Sequence, residues 1–194
     1  MIWAIILAAG ESKRMGESKL LLPFGRESII EKVIENVIRS SIDRIMVVLG
    51  AERQKIQEKM KRFPVETTVN TDFKKGMLSS IQRGFQSLPR NAEAALVILG
   101  DQPRISTKTI NRVLEAFRKE RKGIVLPVFH NTGGHPLLVD MKYRIEIQAL
   151  NPKIGLRELL SLHPEDILRV EVEDPFILKD IDRPEDYKEQ SEKS

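Results

Sequence analysis

Continuous apolar segments recur along the chain and predict strands that are buried on both faces. Four of them are rich in Ile, Val and Leu: residues 2–8, 44–50, 94–100 and 123–129. A fifth segment, residues 65–70, alternates apolar and polar residues with the period of a strand. Uninterrupted apolar strands are typical of parallel sheets whose two faces are covered by helices.

Amphipathic segments alternate with these strands. Ser28 is suited to cap a helix, because Glu31 follows three residues later and apolar residues then recur with helical spacing to Ile38. Further helices are predicted at residues 51–62, at 77–88 and around 110–117. This alternation predicts an α/β chain with a mostly parallel sheet and helices on both sides.

The pattern is weaker beyond residue 130. Short strands are predicted at residues 136–139 and 167–172, with helical turns near 143–149 and 155–162. Because no linker or repeat interrupts the chain, we expect residues 1–194 to form a single domain. The charged tail from about residue 188 is expected to fray.

Composition narrows the class of protein. The chain has 194 residues, a net charge of +4 and no cysteine. So small a net charge gives no argument for nucleic-acid binding. The absence of cysteine excludes disulfides, thiolate nucleophiles and zinc–thiolate sites, and it fits a cytoplasmic protein. No apolar stretch is long enough to cross a membrane.

The loop after the first strand has the residues of a phosphate-binding loop. Gly10 and Gly16 allow the backbone to turn and present N–H groups, and Lys13, Arg14 and Lys19 add positive charge. Arg14 could grip phosphate oxygens through its planar fork, and Lys19 could supply a compact charge. The loop matches neither the Walker A motif nor the dinucleotide fingerprint. A plain strand–helix turn with solvated cations is the alternative.

Carboxylates at two further positions could hold a hard cation. Asp101 follows the most apolar strand, where it could bind Mg²⁺ or merely cap the turn before Pro103. Near the end of the chain, Asp180 or Asp182 could supply a second ligand, although Asp182 could instead cap a helix that Pro184 begins. Among the histidines, His135 is singled out by the glycine turn "NTGGHPLLV" that contains it.

These segments together resemble the nucleotidyltransferases related to molybdenum cofactor guanylyl- and cytidylyltransferases. "LAAGESKRMGESKLLLPFG" (residues 7–25) is similar to the family signature L-A-[AG]-G-x-S-x-R-M-G-x-x-K-x-L. The segments at 70–84, 100–103 and 133–139 agree with further family blocks, and "DIDRPEDY" (180–187) resembles the closing D-x-D-x-P-x-D block. The resemblance implies a Rossmann-like, three-layer α/β sandwich of the nucleotide-diphospho-sugar transferase type.

The resemblance also implies residue roles. Arg14 would hold the leaving β,γ-phosphates and Lys19 would neutralise the α-phosphate, while Asp101, with Asp182 as a second ligand, would hold Mg²⁺. The nucleotide would be bound by Leu7, Ala8, Ala9, Gly10, Arg14, Lys19 and Asn70, and the acceptor by Gly134, His135 and Arg157. Arg157 lies in "NPKIGLREL" (151–159), which lacks the acidic residue that cytidylyl members often carry in this block.

The predicted activity is transfer of a cytidylyl group from CTP to molybdopterin or its molybdenum form, with release of pyrophosphate. Members of the guanylyl branch often have glycine at the position of Ala9, so the alanine of this chain favours the cytidylyl branch. A molybdoenzyme or its chaperone is the expected protein partner. Two alternatives remain at this point: a nucleotidyltransferase for another small phosphate, with GTP or a sugar phosphate as substrate, and a non-catalytic chaperone that binds molybdopterin.

Overall fold

The computed structural model of the chain describes residues 1–12, 15–16 and 18–191. The strands are β1 (Ile2–Ala8), β2 (Pro23–Phe24), β3 (Glu27–Ser28), β4 (Arg44–Leu49), β5 (Glu66–Val69), β6 (Ala94–Leu99), β7 (Ile124–Phe129), β8 (Thr132–Gly133), β9 (Leu137–Asp140) and β10 (Ile167–Glu171). The helices are α1 (Ile29–Ile38), α2 (Arg53–Met60), α3 (Met77–Ser87), α4 (Thr107–Glu120), α5 (Arg144–Ala149), α6 (Leu156–Leu162) and α7 (Pro184–Ser191). The strands and helices predicted from the sequence are all present, with ends that differ by a few residues.

Within the described ranges, the main sheet has the strand order β10-β7-β9-β6-β1-β4-β5, with β8 paired to β7. β1 lies in parallel between β4 and β6, and β4–β5 and β7–β10 are also parallel. β9 is inserted between β6 and β7 and runs antiparallel to both. The sheet is therefore mostly parallel, as predicted.

Both faces of the sheet are buried, which explains why β1 is apolar at every position. Ile2, Ala4 and Ile6 pack into one core cluster with α1 and α4. Trp3 and Ile5, on the opposite face, pack into a second cluster with α3, α5 and α6. The three-layer arrangement is confirmed, because successive residues of one strand point into two different cores.

The predicted start of α1 is also confirmed. The carboxylate of Glu31 accepts hydrogen bonds from the backbone N–H of Ser28, at 2.9 Å, and from its hydroxyl, at 2.6 Å. This contact satisfies a donor that the helix itself cannot satisfy.

Fraying of the charged tail stays a prediction, and the structure describes residues 188–191 as ordered helix. They belong to α7, in which Gln190 is buried. The backbone carbonyl of Gln190 accepts a hydrogen bond from Arg104, at 2.9 Å, and this contact holds the helix on the body of the protein. No helix in the described part of the chain is both long enough and apolar enough to span a bilayer.

Candidate active site

A cleft of about 440 Å³ opens at the carboxyl ends of β1 and β6. Ligands of open α/β sheets bind in such crevices, and the volume is in the range of small-molecule sites. The described residues that line the cleft are Leu7, Ala9, Gly10, Ser12, Lys19, Leu20, Phe73, Gly76, Met77, Ser80, Leu99, Asp101, Asp180 and Asp182.

The floor of the cleft is formed by the backbone where β1 ends. Ala8 is fully buried and is absent from the described lining, whereas its neighbours Leu7 and Ala9 belong to the lining. A Cβ atom at Gly100 would lie 2.6 Å from the carbonyl oxygen of Leu7, so only glycine fits there. Ala9 is 4% exposed, and its methyl group is packed towards Gly50.

The basic loop returns to the cleft at Lys19. The hydroxyl of Ser12 accepts a hydrogen bond from the backbone N–H of Lys19, at 3.1 Å, and closes the loop. Ser12 itself has a positive φ of 53°. Arg14, the predicted clamp for the β,γ-phosphates, lies outside the described residues, as does Lys13.

Lys19 joins two acidic residues that are far away in the sequence. Its Nζ lies 2.5 Å from Asp101 Oδ2 and 2.7 Å from Asp182 Oδ1. The side chains of Lys19 and Asp101 are only 13% and 17% exposed, and that of Asp182 is 37% exposed. The structure thus brings together the predicted cation and both predicted metal ligands. The carboxylate of Asp182 contacts Lys19, and its alternative role as a cap of α7 stays a prediction.

Burial and neighbouring charge oppose each other in this cluster. Burial alone would lower the pKa of Lys19, but the Asp101 and Asp182 carboxylates outweigh it and raise that pKa above its ordinary value. Burial raises the pKa of Asp101, and the charges of Asp180 and Asp182 add to the rise, while Lys19 opposes it. Among the described residues of the cluster, the acidic groups therefore outnumber the cation.

Asp180 completes a group of three carboxylates. Oxygen atoms of Asp101, Asp180 and Asp182 all lie within 4.8 Å of one another. Hard divalent cations prefer such oxygen ligands together with substrate phosphates. The donor set therefore fits a divalent cation.

A main-chain hydrogen bond places the carboxylates of Asp180 and Asp182 beside Asp101. The N–H of Ile181 donates to the carbonyl oxygen of Asp101, at 3.0 Å, and the Ile181 side chain is fully buried. Since the residues on either side of Ile181 are Asp180 and Asp182, this anchor turns both side chains towards the cleft.

Asn70 is buried and uses its amide within the protein. Its Nδ2 donates to the hydroxyls of Ser79 and Ser80, each at 2.9 Å, and its Oδ1 accepts from the N–H of Asp72, at 2.9 Å. Asn70 is not among the described residues of the lining, but Ser80 is. The predicted nucleoside contact of Asn70 stays a prediction, and the observed contacts fix the start of α3.

The predicted acceptor residues are not brought into the described lining of the cleft. Gly134 packs directly against the carbonyl of Ile177, and His135 Nδ1 lies 3.4 Å from the carbonyl oxygen of Val97. Burial lowers the pKa of His135, which favours the neutral ring. Arg157 is exposed on α6.

The sequence reasoning did not single out several residues that line the cleft. Phe73, Gly76, Met77 and Ser80 come from the segment after β5, in which the family resemblance gives a role to Asn70 alone. Gly76 has a φ of 101°, and Met77 is 56% exposed at the first position of a helix. A glycine followed by an apolar residue just before a helix was the available signal.

Residues 4–167 match the family described as the MobA-like NTP transferase domain. The chain is 29% identical to the molybdenum cofactor cytidylyltransferase of Escherichia coli strain K12, over 94% of this chain and 92% of the relative. It is 28% identical to the nicotine blue oxidoreductase of Paenarthrobacter nicotinovorans, over 93% and 92%. It is 31% identical to a probable molybdenum cofactor guanylyltransferase of Natranaerobius thermophilus, over 81% and 77%.

Solved structures show the same fold. The Rv0371c protein of Mycobacterium tuberculosis H37Rv superposes with a TM-score of 0.86 at 21% identity, covering 98% of this chain and 97% of that one. Its complex with manganese superposes with a TM-score of 0.79 at 21% identity, covering 100% and 99%. The predicted sandwich of the nucleotide-diphospho-sugar transferase type is confirmed, and the family match spans most of the chain. The chain belongs to the MobA-like NTP transferase family of nucleotidyltransferases.

Proposed function

We propose that this protein transfers a cytidylyl group from CTP to a phosphate-bearing acceptor of the molybdopterin type and releases pyrophosphate. The observation that carries the proposal is the contact of Lys19 with Asp101 and Asp182 at the edge of a cleft floored by the glycine loop. A reaction between two phosphates needs positive charge, since both reactants are anionic. Lys19 supplies one such charge, and the clustered carboxylates are suited to hold a divalent cation that supplies more. The E. coli relative, named a molybdenum cofactor cytidylyltransferase, supports the choice of base and acceptor.

The proposed chemistry is an in-line displacement at the α-phosphorus. A phosphate oxygen of the acceptor forms a bond to the α-phosphorus while the bond to the oxygen that bridges towards the β-phosphate breaks, and pyrophosphate leaves with that electron pair. The nucleophile is already an anion, so the protein contributes by positioning the reactants and neutralising their charge.

Lys19 is the residue proposed to meet the α-phosphate. To do so its ammonium exchanges part of its contact with the carboxylates for phosphate oxygens. Asp101, Asp180 and Asp182 would then hold a divalent cation, for which we propose Mg²⁺. When bound, this ion supplies positive charge next to the triphosphate. Arg14 is proposed to hold the β,γ-phosphates.

The alternative within the same chemistry is a guanylyl transfer. The relative from Natranaerobius thermophilus, named a probable molybdenum cofactor guanylyltransferase, supports GTP as the competing substrate. Ala9 carries the proposed preference for CTP, because its methyl group packs towards Gly50 and holds the floor of the cleft in place, whereas glycine would let the floor give way to a purine. Gly134, His135 and Arg157 remain proposals for the acceptor side, with a molybdoenzyme or its chaperone as the protein that receives the product.

The decisive assay measures pyrophosphate release with each of the four nucleoside triphosphates and a panel of phosphorylated acceptors that includes molybdopterin. We expect release that requires both CTP and molybdopterin, and a large loss in the Asp101→Asn variant. A preference for GTP would support the guanylyl alternative. Tight binding of molybdopterin without any nucleotide turnover would instead identify a binding protein and contradict the proposal.

A further inference from the structure

Two of the three clustered carboxylates lie after the matched family domain, in the segment that resembles the family's closing block. The match ends at residue 167, whereas Asp180 and Asp182 belong to the segment that leads into α7. Asp182 is also the most exposed member of the pair that contacts Lys19, with 37% of its side chain accessible. A half-exposed side chain on a loop keeps a fixed direction only if its backbone is held in place.

Asp186 holds that backbone. Its Oδ2 accepts hydrogen bonds from the N–H of Asp182, at 3.1 Å, and from the N–H of Arg183, at 2.8 Å. Pro184, which has no N–H to donate, begins the helix between them. The carboxylate therefore reaches back from the first turn of α7 and fixes the residue that contacts Lys19.

The helix that carries Asp186 is itself attached to the elements around the cleft. The hydroxyl of Tyr187 donates to the carbonyl oxygen of Pro23, at 2.7 Å, and Pro23 follows the turn that carries Lys19. Gln190 Nε2 lies 3.4 Å from the carbonyl oxygen of Asp180, which it approaches from the far end of the helix. Asp186 is thus a side chain on a docked helix rather than on a free end.

We propose that Asp186 is a positioning residue for Asp182, and through it for the divalent cation; this inference rests on the proposed function. Asp186 would not touch the cation itself; it accepts a hydrogen bond from the backbone N–H of Asp182, whose carboxylate would hold the ion. Groups that orient a metal ligand typically change metal affinity or activity about 10- to 100-fold when they are removed.

The test is Mn²⁺ binding to the full chain without nucleotide, measured by titration calorimetry and by the EPR signal of free Mn²⁺. Asp186→Ala removes the acceptor of both N–H groups, so we expect about 10-fold weaker binding. Asp186→Asn keeps an acceptor oxygen at the same place and should stay within about 3-fold of the parent. Glu185→Ala removes a neighbouring exposed carboxylate of the same helix and serves as the charge-matched control.

A second variant separates positioning from stability. Tyr187→Phe loses the contact with Pro23 but keeps both hydrogen bonds of Asp186, so it should lower thermal stability without weakening Mn²⁺ binding. Equal loss of affinity in Asp186→Ala and Tyr187→Phe would show that docking of the helix, and not Asp186, sets the site. Parent-like affinity in Asp186→Ala would overturn the inference outright.

The two proposals fail in different ways. If the parent binds no Mn²⁺ and Asp101→Asn behaves in the same way, the proposed metal-dependent function fails and takes the inference with it. If the parent binds Mn²⁺, Asp101→Asn does not and Asp186→Ala does so normally, the proposed function stands and only the inference fails.

Discussion

Replacing Lys19 by methionine tests whether the carboxylate cluster needs a cation. The substitution keeps most of the length and apolar volume of the side chain but removes the ammonium that contacts Asp101 and Asp182, at 2.5 and 2.7 Å. Three carboxylates with oxygens within 4.8 Å of one another are then left without that positive partner. We expect the variant to fold and to be less stable than the parent.

The burial of the pair sets the magnitude. An ion pair at the surface contributes about 0–1 kcal/mol, and removing one partner of a fully buried pair costs about 3–5 kcal/mol. Lys19 and Asp101 are 13% and 17% exposed, which is nearer the buried case. We therefore expect the free energy of unfolding to fall by about 2–3 kcal/mol at pH 8 with a chelator present.

A divalent cation should reverse this loss. A ligand present at 100 times its dissociation constant stabilises the folded state by about 2.7 kcal/mol. Urea unfolding of Lys19→Met and of the parent, each with EDTA and with Mn²⁺, measures both effects. Lys61→Met is the control, since Lys61 and its partner Glu58 are 70% and 69% exposed and their pair should contribute little. If Lys19→Met is as stable as the parent in EDTA, or if Mn²⁺ does not stabilise it, the assignment of this cluster as a cation site is refuted.

Three further predictions follow from the site and the fold. Asp101→Asn should retain the fold but lower kcat by ~10²-fold or more, as measured by pyrophosphate release, because a charged ligand is lost; unchanged turnover would contradict its role. Ala9→Gly should lower the ratio of kcat/KM for CTP over GTP by about 10-fold, since losing the methyl group that packs towards Gly50 lets the floor of the cleft move away from a larger base; an unchanged ratio would place selectivity elsewhere. Although burial opposes it, hydrogen bonds from Gly123 and Lys142 lower the pKa of Asp166 to about 2. The contribution of Asp166 to the free energy of unfolding is present above its unfolded pKa of ~4 and is lost as the pH falls towards 2. In urea unfolding at acid pH, the free energy of unfolding of the parent should therefore fall by about 1–2 kcal/mol more than that of Asp166→Asn.

Local patterns were sufficient to predict the longer strands and most of the helices, but not the two-residue strands β2, β3 and β8. The apolar run 94–100 could hardly be anything but a buried strand, and β6 is buried at every position. The insertion of β9 between β6 and β7 could not be predicted, because an antiparallel partner is chosen by contacts made after the chain has folded back on itself. Short apolar segments such as residues 136–139 carry no information about their neighbours in the sheet.

The site was predictable to the extent that its residues follow strands. Asp101 could be chosen because it lies just after a recognisable strand, and Lys19 because it belongs to the glycine-containing basic loop that follows another strand, at the edge where ligands bind. Their contact with each other could not be predicted, since sequence spacing does not show which way a side chain points. Asp186 is the last aspartate of the segment that resembles the family's closing block, but its role was not predicted, because the pattern does not show which backbone N–H groups a side chain accepts from.

The separation of 163 positions between Lys19 and Asp182 affects the order in which the protein is made. Strands β1, β4, β5 and β6 pair with one another, so a large part of the sheet can form from residues 2–99 while the ribosome is still adding the rest. The glycine loop and Lys19 are then present, but Asp180 and Asp182 are not. A growing chain therefore acquires the complete group of Asp101, Asp180 and Asp182 only after more than nine-tenths of its 194 residues have been joined. Until then, the chain lacks two of the three carboxylates that fit the finished cleft for a divalent cation.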